Sequence, residues 1–268
     1  MVSNSLSKNA LVIDATCEID SIISYILNEN NFKLTKVVDT HLHADHLSGA
    51  TKLAKKYGST LYLSSLENYN IKNNEYGLKF KFISDGDTIK IGNEVFLEAV
   101  YTPGHTNGSI SFKLEINTDN FLKKYGNEDN QIKNGLSKMF VFIGDTLFVD
   151  GVGRPDLHGK TDEFAHNLFN TYQQKILILP DEAIILPSHY SGIFEHERPI
   201  YDTVKSIKQN INLLSASEND FVKFVNENIP PRPMNYDRII SINKQLISCD
   251  EIEQNDIEVG PNACGIVK

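Results

Sequence analysis

The sequence predicts an α/β protein built as a four-layer sandwich: two β-sheets face to face, with helices on both outer sides. Three observations predict it. The N-terminal part alternates short apolar β runs with helical periodicity; the middle turns to closely spaced β runs broken by turn dipeptides; strand–helix alternation then returns.

In order, Ala10 to Asp14 reads as a short apolar strand, and Ile19, Ile22, Ile23, Ile26 and Leu27 recur at helical spacing, with Asp20 and Ser21 near the start. Lys36 to Thr40 is the next strand, Asp45 to Tyr57 a helix closed by Gly58, and Thr60 to Ser64 a strand. This series implies a parallel sheet with covering helices. Phe80 to Ile83, Thr88 to Ile91, Val95 to Tyr101 and Ser109 to Ile116 then read as a meander, turned at Asp85-Gly86-Asp87, Gly92-Asn93 and Pro103-Gly104. Residues 117–138, rich in Asn, Asp, Lys and Gly, read as a surface insertion before the buried strand Met139 to Ile143, which Gly144-Asp145 ends. Thr161 to Ile178 reads as a helix N-capped by Thr161, and Ala183 to Leu186 as a strand running into Pro187-Ser188-His189. Helices are expected about Pro199 to Leu214, Glu218 to Asn228 and Tyr236 to Leu246, with the break Pro230-Pro231-Arg232-Pro233 and an irregular tail.

A chain of 268 residues suits one large domain or a domain with an appendage, and its 40% hydrophobic and 23% charged content is that of a globular protein. The net charge of -9, with no Lys/Arg cluster, argues against a nucleic-acid partner. No segment is long and apolar enough to span a bilayer, and the N-terminus lacks the apolar core of a signal peptide, so a cytoplasmic protein with no membrane partner is expected. Cys17, Cys249 and Cys264 are few, odd in number and far apart. They form neither a disulfide framework nor a thiolate zinc site by spacing, and are read as buried or incidental thiols.

The chemistry is concentrated in Thr40 to Gly49, Thr-His-Leu-His-Ala-Asp-His-Leu-Ser-Gly, at a strand-to-helix turn. His41, His43, Asp45 and His46 are metal-capable side chains that such a turn can converge on one point. Three further ligand types stand at strand ends: His105 after Thr-Pro-Gly, Asp145 after Ile-Gly, and His189 after Leu-Pro-Ser. A metal needs deprotonated ligands, fixed in direction and gathered from several elements. Imidazoles and carboxylates without thiolates suit zinc, iron or manganese. His158, His166 and His196 lack such neighbours and are read as ordinary capping or loop histidines.

The His-x-His-x-Asp-His motif, followed in order by Gly-His, Gly-Asp and a last His, resembles the metallo-β-lactamase-fold superfamily over about residues 10 to 200. The resemblance implies a four-layer αββα sandwich with a C-terminal helical extension. A catalytic domain would cover residues 1–212, and an extension and tail packed on that domain would cover 213–268. Two branches fit. In a glyoxalase II-like hydrolase of thioesters, His41, His43 and His105 would hold one Zn(2+), Asp45, His46 and His189 a second, and Asp145 would bridge them. In the persulfide dioxygenase (sulfur dioxygenase) branch, one Fe(2+) would be held by His41, His105 and Asp145, and the partners would be a small thiol persulfide and O2. Gly151 to Leu157 (Gly-Val-Gly-Arg-Pro-Asp-Leu), residues 220–233 and the tail Glu258 to Gly265 resemble the second branch, which is the main expectation.

On that reading Asp45, Arg154 and Tyr190 are the catalytic candidates. Arg154 would hold an anionic substrate group with its planar fork, Asp156 would position Arg154, and Tyr190 would place a hydroxyl near sulfur. A homodimer is expected from the branch. Only nine residues precede the strand at Ala10, where the family begins with a β-hairpin, which implies a missing sheet edge or a late start site. A scaffold or sensor without catalysis would have no need of the seven-residue set.

Overall fold

The computed structural model describes residues 1–70, 77–117, 137–157, 159–190, 199–232, 234–252, 257 and 264–267. The strands are β1 (Val2–Asn4), β2 (Asn9–Ile13), β3 (Lys33–Val38), β4 (Thr60–Ser64), β5 (Lys79–Ile83), β6 (Thr88–Ile91), β7 (Val95–Tyr101), β8 (Ile110–Asn117), β9 (Ser137–Gly144), β10 (Gly151–Gly153), β11 (Ile184–Pro187), β12 (Asp202–Thr203) and β13 (Gly265–Val267). The helices are α1 (Asp20–Glu29), α2 (Ala50–Tyr57), α3 (Thr161–Thr171), α4 (Val204–Asn210), α5 (Glu218–Glu227) and α6 (Tyr236–Lys244). One sheet runs β1-β2-β3-β4-β5 and the other β12-β11-β9-β8-β7-β6, while β10 and β13 form a small ribbon.

Three apolar clusters show why these sheets stack as four layers. Leu11 and Val38 of the first sheet meet Ile89, Leu97 and Phe112 of the second in a core between them. Val37, one residue from Val38 and so on the opposite face, packs with Leu61 under Ile23 of α1 and Leu53 of α2. Val141 and Ile185 face outward from the second sheet onto Leu168 of α3, Ile207 of α4 and Phe221 of α5. A fully buried side chain of this size contributes about 1.5–3 kcal/mol, so the two-faced strands β3 and β9 anchor the sandwich.

Several expectations are corrected. β1 pairs antiparallel with β2, so the first sheet has its edge, as a three-residue strand. β5 pairs parallel with β4 and belongs to the first sheet, not to the meander; a period of two is common to both sheets and cannot assign a strand to one. α2 begins at Ala50 rather than Asp45. The backbone before it is held otherwise: Gly49 N–H donates to the Ala15 carbonyl at 2.7 Å, and Ser48 bridges to Thr16. A Cβ at Gly49 would lie 2.4 Å from the Thr16 oxygen, so only glycine fits this approach. The helix at Thr161 is capped from Lys160 without a side-chain bond and passes into a π-turn over Tyr172–Ile176. The long helix expected from Pro199 is the short strand β12 followed by α4, which Thr203 caps through Ser206 N–H.

Cys17 and Cys249 form a disulfide across 232 positions of sequence. This corrects their reading as thiols. Cysteines so far apart carry no spacing pattern, and only the fold brings their Cα atoms to 5.9 Å. Cys264 is a buried thiol. Most of the insertion over 117–138, together with His158, His196 and most of the tail 258–265, lies outside the described residues. Among the described residues no helix is long and apolar enough to cross a membrane.

Candidate metal centre

The site lies where strands β3, β7, β9 and β11 end. The loop after β3 carries His41 to His46, the turn after β7 carries His105, Asp145 follows β9, and His189 follows β11. Gly144 turns the chain into Asp145 with φ +57°, and a Cβ there would strike Thr40 Oγ1 at 2.4 Å, so the loops after β3 and β9 touch across a glycine.

Hydrogen bonding fixes the tautomers on one side of the site. Thr40 Oγ1 has one proton and donates it to Asp14 Oδ2 at 2.8 Å, while Thr40 N–H donates to Asp14 Oδ1 at 2.7 Å. The same Oγ1 lies 2.9 Å from His41 Nδ1, so it accepts the Nδ1 proton and leaves a lone pair on Nε2. His105 Nδ1 donates to the Arg154 carbonyl at 2.9 Å, which likewise leaves its Nε2 as a lone pair. Burial lowers the basicity of both rings, His41 well below the ordinary histidine value, with the neighbouring His43 adding to the effect there. These Nε2 atoms sit 3.8 and 3.7 Å from Asp145 Oδ2. All three atoms are buried acceptors without a hydrogen-bond partner. Three buried acceptors that converge in this way form a candidate cation site.

His43 stands beside them, its ring centroid 4.2 Å from that of His41. Its Nε2 faces Asp14 at 3.4 Å and Asp39 at 3.8 Å, long contacts of ion-pair type. Burial opposes charge on this ring, but Asp14 and Asp39 outweigh it and raise its pKa to about 9. Neither ring nitrogen of His43 has a hydrogen-bond partner among the described residues, and Nε2 is the one that lies toward Asp14.

The other side is arranged differently. Asp45 Oδ2 lies 3.1 Å from His46 Nδ1 and 2.9 Å from His189 Nε2. His189 Nδ1 donates to Asp145 Oδ1 at 2.6 Å. Both ring nitrogens of His189 therefore serve carboxylates. Burial disfavours charge on this ring, and Asp145 and Asp45 overcome it, raising its pKa to about 11. Burial also works against ionised Asp45, yet His46 and His189 hold its carboxyl well below the usual range.

The structure thus gathers all seven expected residues, His41, His43, Asp45, His46, His105, Asp145 and His189, around one centre. Among the described residues four sets have donor atoms close enough for one ion: His41 with His105 and Asp145, Asp14 with His41 and His43, His43 with Asp45 and His46, and Asp45 with His189 and Cys264. Cys264, read from sequence as a buried or incidental thiol, is buried and stands here immediately before β13.

The role given to Arg154 is corrected. Its side chain is fully buried. Its Nε and Nη2 donate to Asp156 at 2.7 and 2.9 Å, and its Nη1 and Nη2 donate to the Pro231 and Pro230 carbonyls at 3.1 and 2.8 Å. The fork fastens the proline break and, through the Arg154 carbonyl, fixes His105; it presents no face to a substrate. Asp156 does position Arg154, and it also accepts from Arg232 Nε at 3.1 Å. Tyr190 follows His189 and is exposed.

Besides Asp14, which groups with His41 and His43, two residues were missed. Glu67 is buried, accepts from Leu42 N–H at 3.3 Å and bonds Thr106 Oγ1, so one carboxylate ties the His41–His46 loop to the turn of His105. Asn243, on α6, bonds the backbone of the His41–His46 loop. An asparagine one turn after Ile239, on an otherwise apolar helix face, was the only mark of it.

The model of the Metallo-beta-lactamase superfamily matches residues 6–119. A solved structure, the metallo-beta-lactamase from Staphylococcus aureus subsp. aureus COL, is 27% identical with a TM-score of 0.75, covering 91% of this chain and 68% of that one. The chain has the metallo-β-lactamase superfamily fold. Among curated relatives, the mitochondrial persulfide dioxygenase ETHE1 of Homo sapiens is 27% identical over 242 residues, 88% of this chain and 79% of the relative. The probable polyketide biosynthesis zinc-dependent hydrolase BaeB of Bacillus velezensis is 26% identical over 230 residues, 84% of this chain and 85% of the relative.

Proposed function

We propose that the chain is an Fe(II)-dependent dioxygenase that oxidises a small thiol persulfide to sulfite. The observation that carries this reading is the three-acceptor set of His41 Nε2, His105 Nε2 and Asp145 Oδ2, set against a His189 already engaged at both nitrogens. Two histidines and one carboxylate on one face leave positions open opposite them, the ligation associated with mononuclear iron oxygenases. Likeness to a persulfide dioxygenase over 88% of the chain supports the same branch.

Bound there, Fe(II) would supply electron exchange between the persulfide sulfur and O2. The overall reaction balances as RSSH + O2 + H2O giving RSH + sulfite + two protons: the outer sulfur loses four electrons and O2 gains them. The chain's own residues do the rest. Thr40 and the Arg154 carbonyl hold the Nε2 lone pairs of His41 and His105 inward. Asp145 supplies the anionic ligand and is braced at its other oxygen by His189. His189 keeps a proton between Asp45 and Asp145, beside the centre where an anionic substrate would bind. Residues 1–212 and 213–268 act as one catalytic unit, since the prolines that follow α5 hold Arg154, and Arg154 holds His105. A cytoplasmic location belongs to this proposal, and fractionation with an epitope-tagged chain checks it.

A second reading, a dinuclear zinc hydrolase of thioesters, is favoured by the intact Asp45–His46–His189 group and by the likeness to BaeB. Metal content and two assays decide between them. One iron per chain, with O2 uptake on glutathione persulfide, is expected. Two zincs per chain, no O2 uptake and cleavage of S-lactoylglutathione would overturn the dioxygenase in favour of the hydrolase.

A further inference from the structure

The loop that carries four of the seven site residues has no regular structure of its own, and its backbone polar groups must find partners elsewhere. Three of them find one side chain. Asn243 Nδ2 donates to the His43 carbonyl and to the His46 carbonyl, both at 2.9 Å, and its Oδ1 accepts from Ser48 N–H at 3.0 Å. Asn243 is buried, comes from α6 and lies 195 positions beyond Ser48. The amide fits this task by chemistry: two N–H donors for two carbonyls and one oxygen for one N–H. A carboxylate could not donate, and an aliphatic side chain would leave three buried backbone groups unsatisfied.

The same helix is tied down just beyond Asn243. Cys249 is bonded to Cys17, in the segment whose Ala15 carbonyl accepts from Gly49 and whose Thr16 bridges Ser48. Cys17 and Cys249 pack with Leu47 of the ligand loop, Ile239 of α6 and Ile257 in one apolar cluster. The ligand loop is thus held between two chain segments that the disulfide joins to each other.

We propose that Asn243 is a positioning residue for the metal-ligand loop, and that the Cys17–Cys249 disulfide keeps it seated, so that reduction of this disulfide weakens the hold of the chain on its metal. The proposal rests on the metal-centre reading above. Chemically, a dithiol reductant gives two electrons and two protons to the disulfide and leaves as its own disulfide, while Cys17 and Cys249 become thiols. Outer partners that orient metal ligands typically change metal affinity by about 10–100-fold when removed, and that range is expected here.

The test uses the full chain and Fe(II) titrated anaerobically. Asn243→Asp, which keeps shape and the acceptor but loses both donors, should bind Fe(II) about 10–100-fold more weakly. Ile207→Ala, buried on α4 in the cluster outside the second sheet, should lower thermal stability and leave Fe(II) affinity within about twofold, which separates positioning from a general loss of packing. Wild type reduced by a dithiol and desalted should lose affinity in the same direction, and a Cys17→Ser/Cys249→Ser double variant should be insensitive to the reductant. Amide hydrogen exchange over residues 41–49 reads the same loop without metal: faster exchange in Asn243→Asp and after reduction is expected even if wild type binds no iron, a result that would overturn the metal reading alone. Affinity and exchange equal to wild type in Asn243→Asp would overturn the positioning role. Equal values for oxidised and reduced wild type would overturn the redox coupling. Should Asn243→Asp fail to fold, Asn243→Ser, which keeps one donor, should give an intermediate loss, and a wild-type value for it would overturn the positioning role.

Discussion

The two sides of the site are built from the same residue types and solve opposite problems. On the side of His41 and His105, each ring is tethered at Nδ1 by an uncharged oxygen, which leaves Nε2 bare. On the side of Asp45 and His189, the ring is tethered at both nitrogens by carboxylates, which makes it a cation. A neutral tether prepares a ligand; a doubly anionic one prepares an internal ion pair. The partners around a histidine, more than the motif it sits in, decide whether it is disposed to bind a metal or to replace one.

The largest expected effect lies at the hinge of this comparison. Asp145 offers Oδ2 to the His41 and His105 side and Oδ1 to His189. Asp145→Ala should remove the only carboxylate of the three-acceptor set and lower metal affinity by more than about a hundredfold, beyond what loss of an outer partner costs. Metal content after dialysis against a chelator measures it. An Asp145→Ala protein that keeps its iron would break the comparison at once.

Next in size is Asp156→Asn, which asks whether the bare side is rigid. The variant leaves the buried Arg154 guanidinium without its counter-charge, and breaking a buried pair in this way costs about 3–5 kcal/mol. Urea unfolding followed by circular dichroism measures the loss. His105, tethered through the Arg154 carbonyl, should then bind metal more weakly.

Much of this was legible in the sequence. Strands β6 and β7 and helix α5 stand close to where periodicity set them, because their buried apolar residues face a single core. That His41, His43, Asp45, His46, His105, Asp145 and His189 come together was legible because ligand types repeated at strand ends. What escaped was held by long-range contacts. The start of α2 was set too early because Asp45 to Gly49 continue a helical pattern that Ala15 and Thr16 override. The disulfide, Glu67 and Asn243 join segments that share no local spacing. Arg154 was taken for a substrate clamp because its segment resembles the dioxygenase branch and a planar fork suits a carboxylate; its burial by Pro230 and Pro231 is visible only once the C-terminal segment is folded back.

A smaller effect on metal is expected at His189. If its role is to brace Asp145 and hold a proton, His189→Asn should lower Fe(II) affinity by less than about tenfold, the low end of what an outer partner contributes. Persulfide oxidation should fall further than affinity does. A loss of metal as deep as that of Asp145→Ala would show that the ion-paired side binds metal too, and would turn the comparison into one between two metal sites.

The smallest effect is a pH dependence that tests the rigidity of the bare side without touching a ligand. Burial alone would raise the Asp156 pKa, but Arg154 and Arg232 outweigh it and hold it below its ordinary value. A carboxylate whose folded pKa is depressed contributes stability above its unfolded pKa, about 3.9, and that contribution fades as pH falls through the lower folded value. The stability gap between wild type and Asp156→Asn should therefore stay level from neutral pH down to about 5 and narrow steadily below it. Urea midpoints taken across that range give the gap directly. A gap that does not narrow in acid would mean that Asp156 holds Arg154 by shape rather than by charge, and that the tether on His105 owes nothing to the ion pair beneath it.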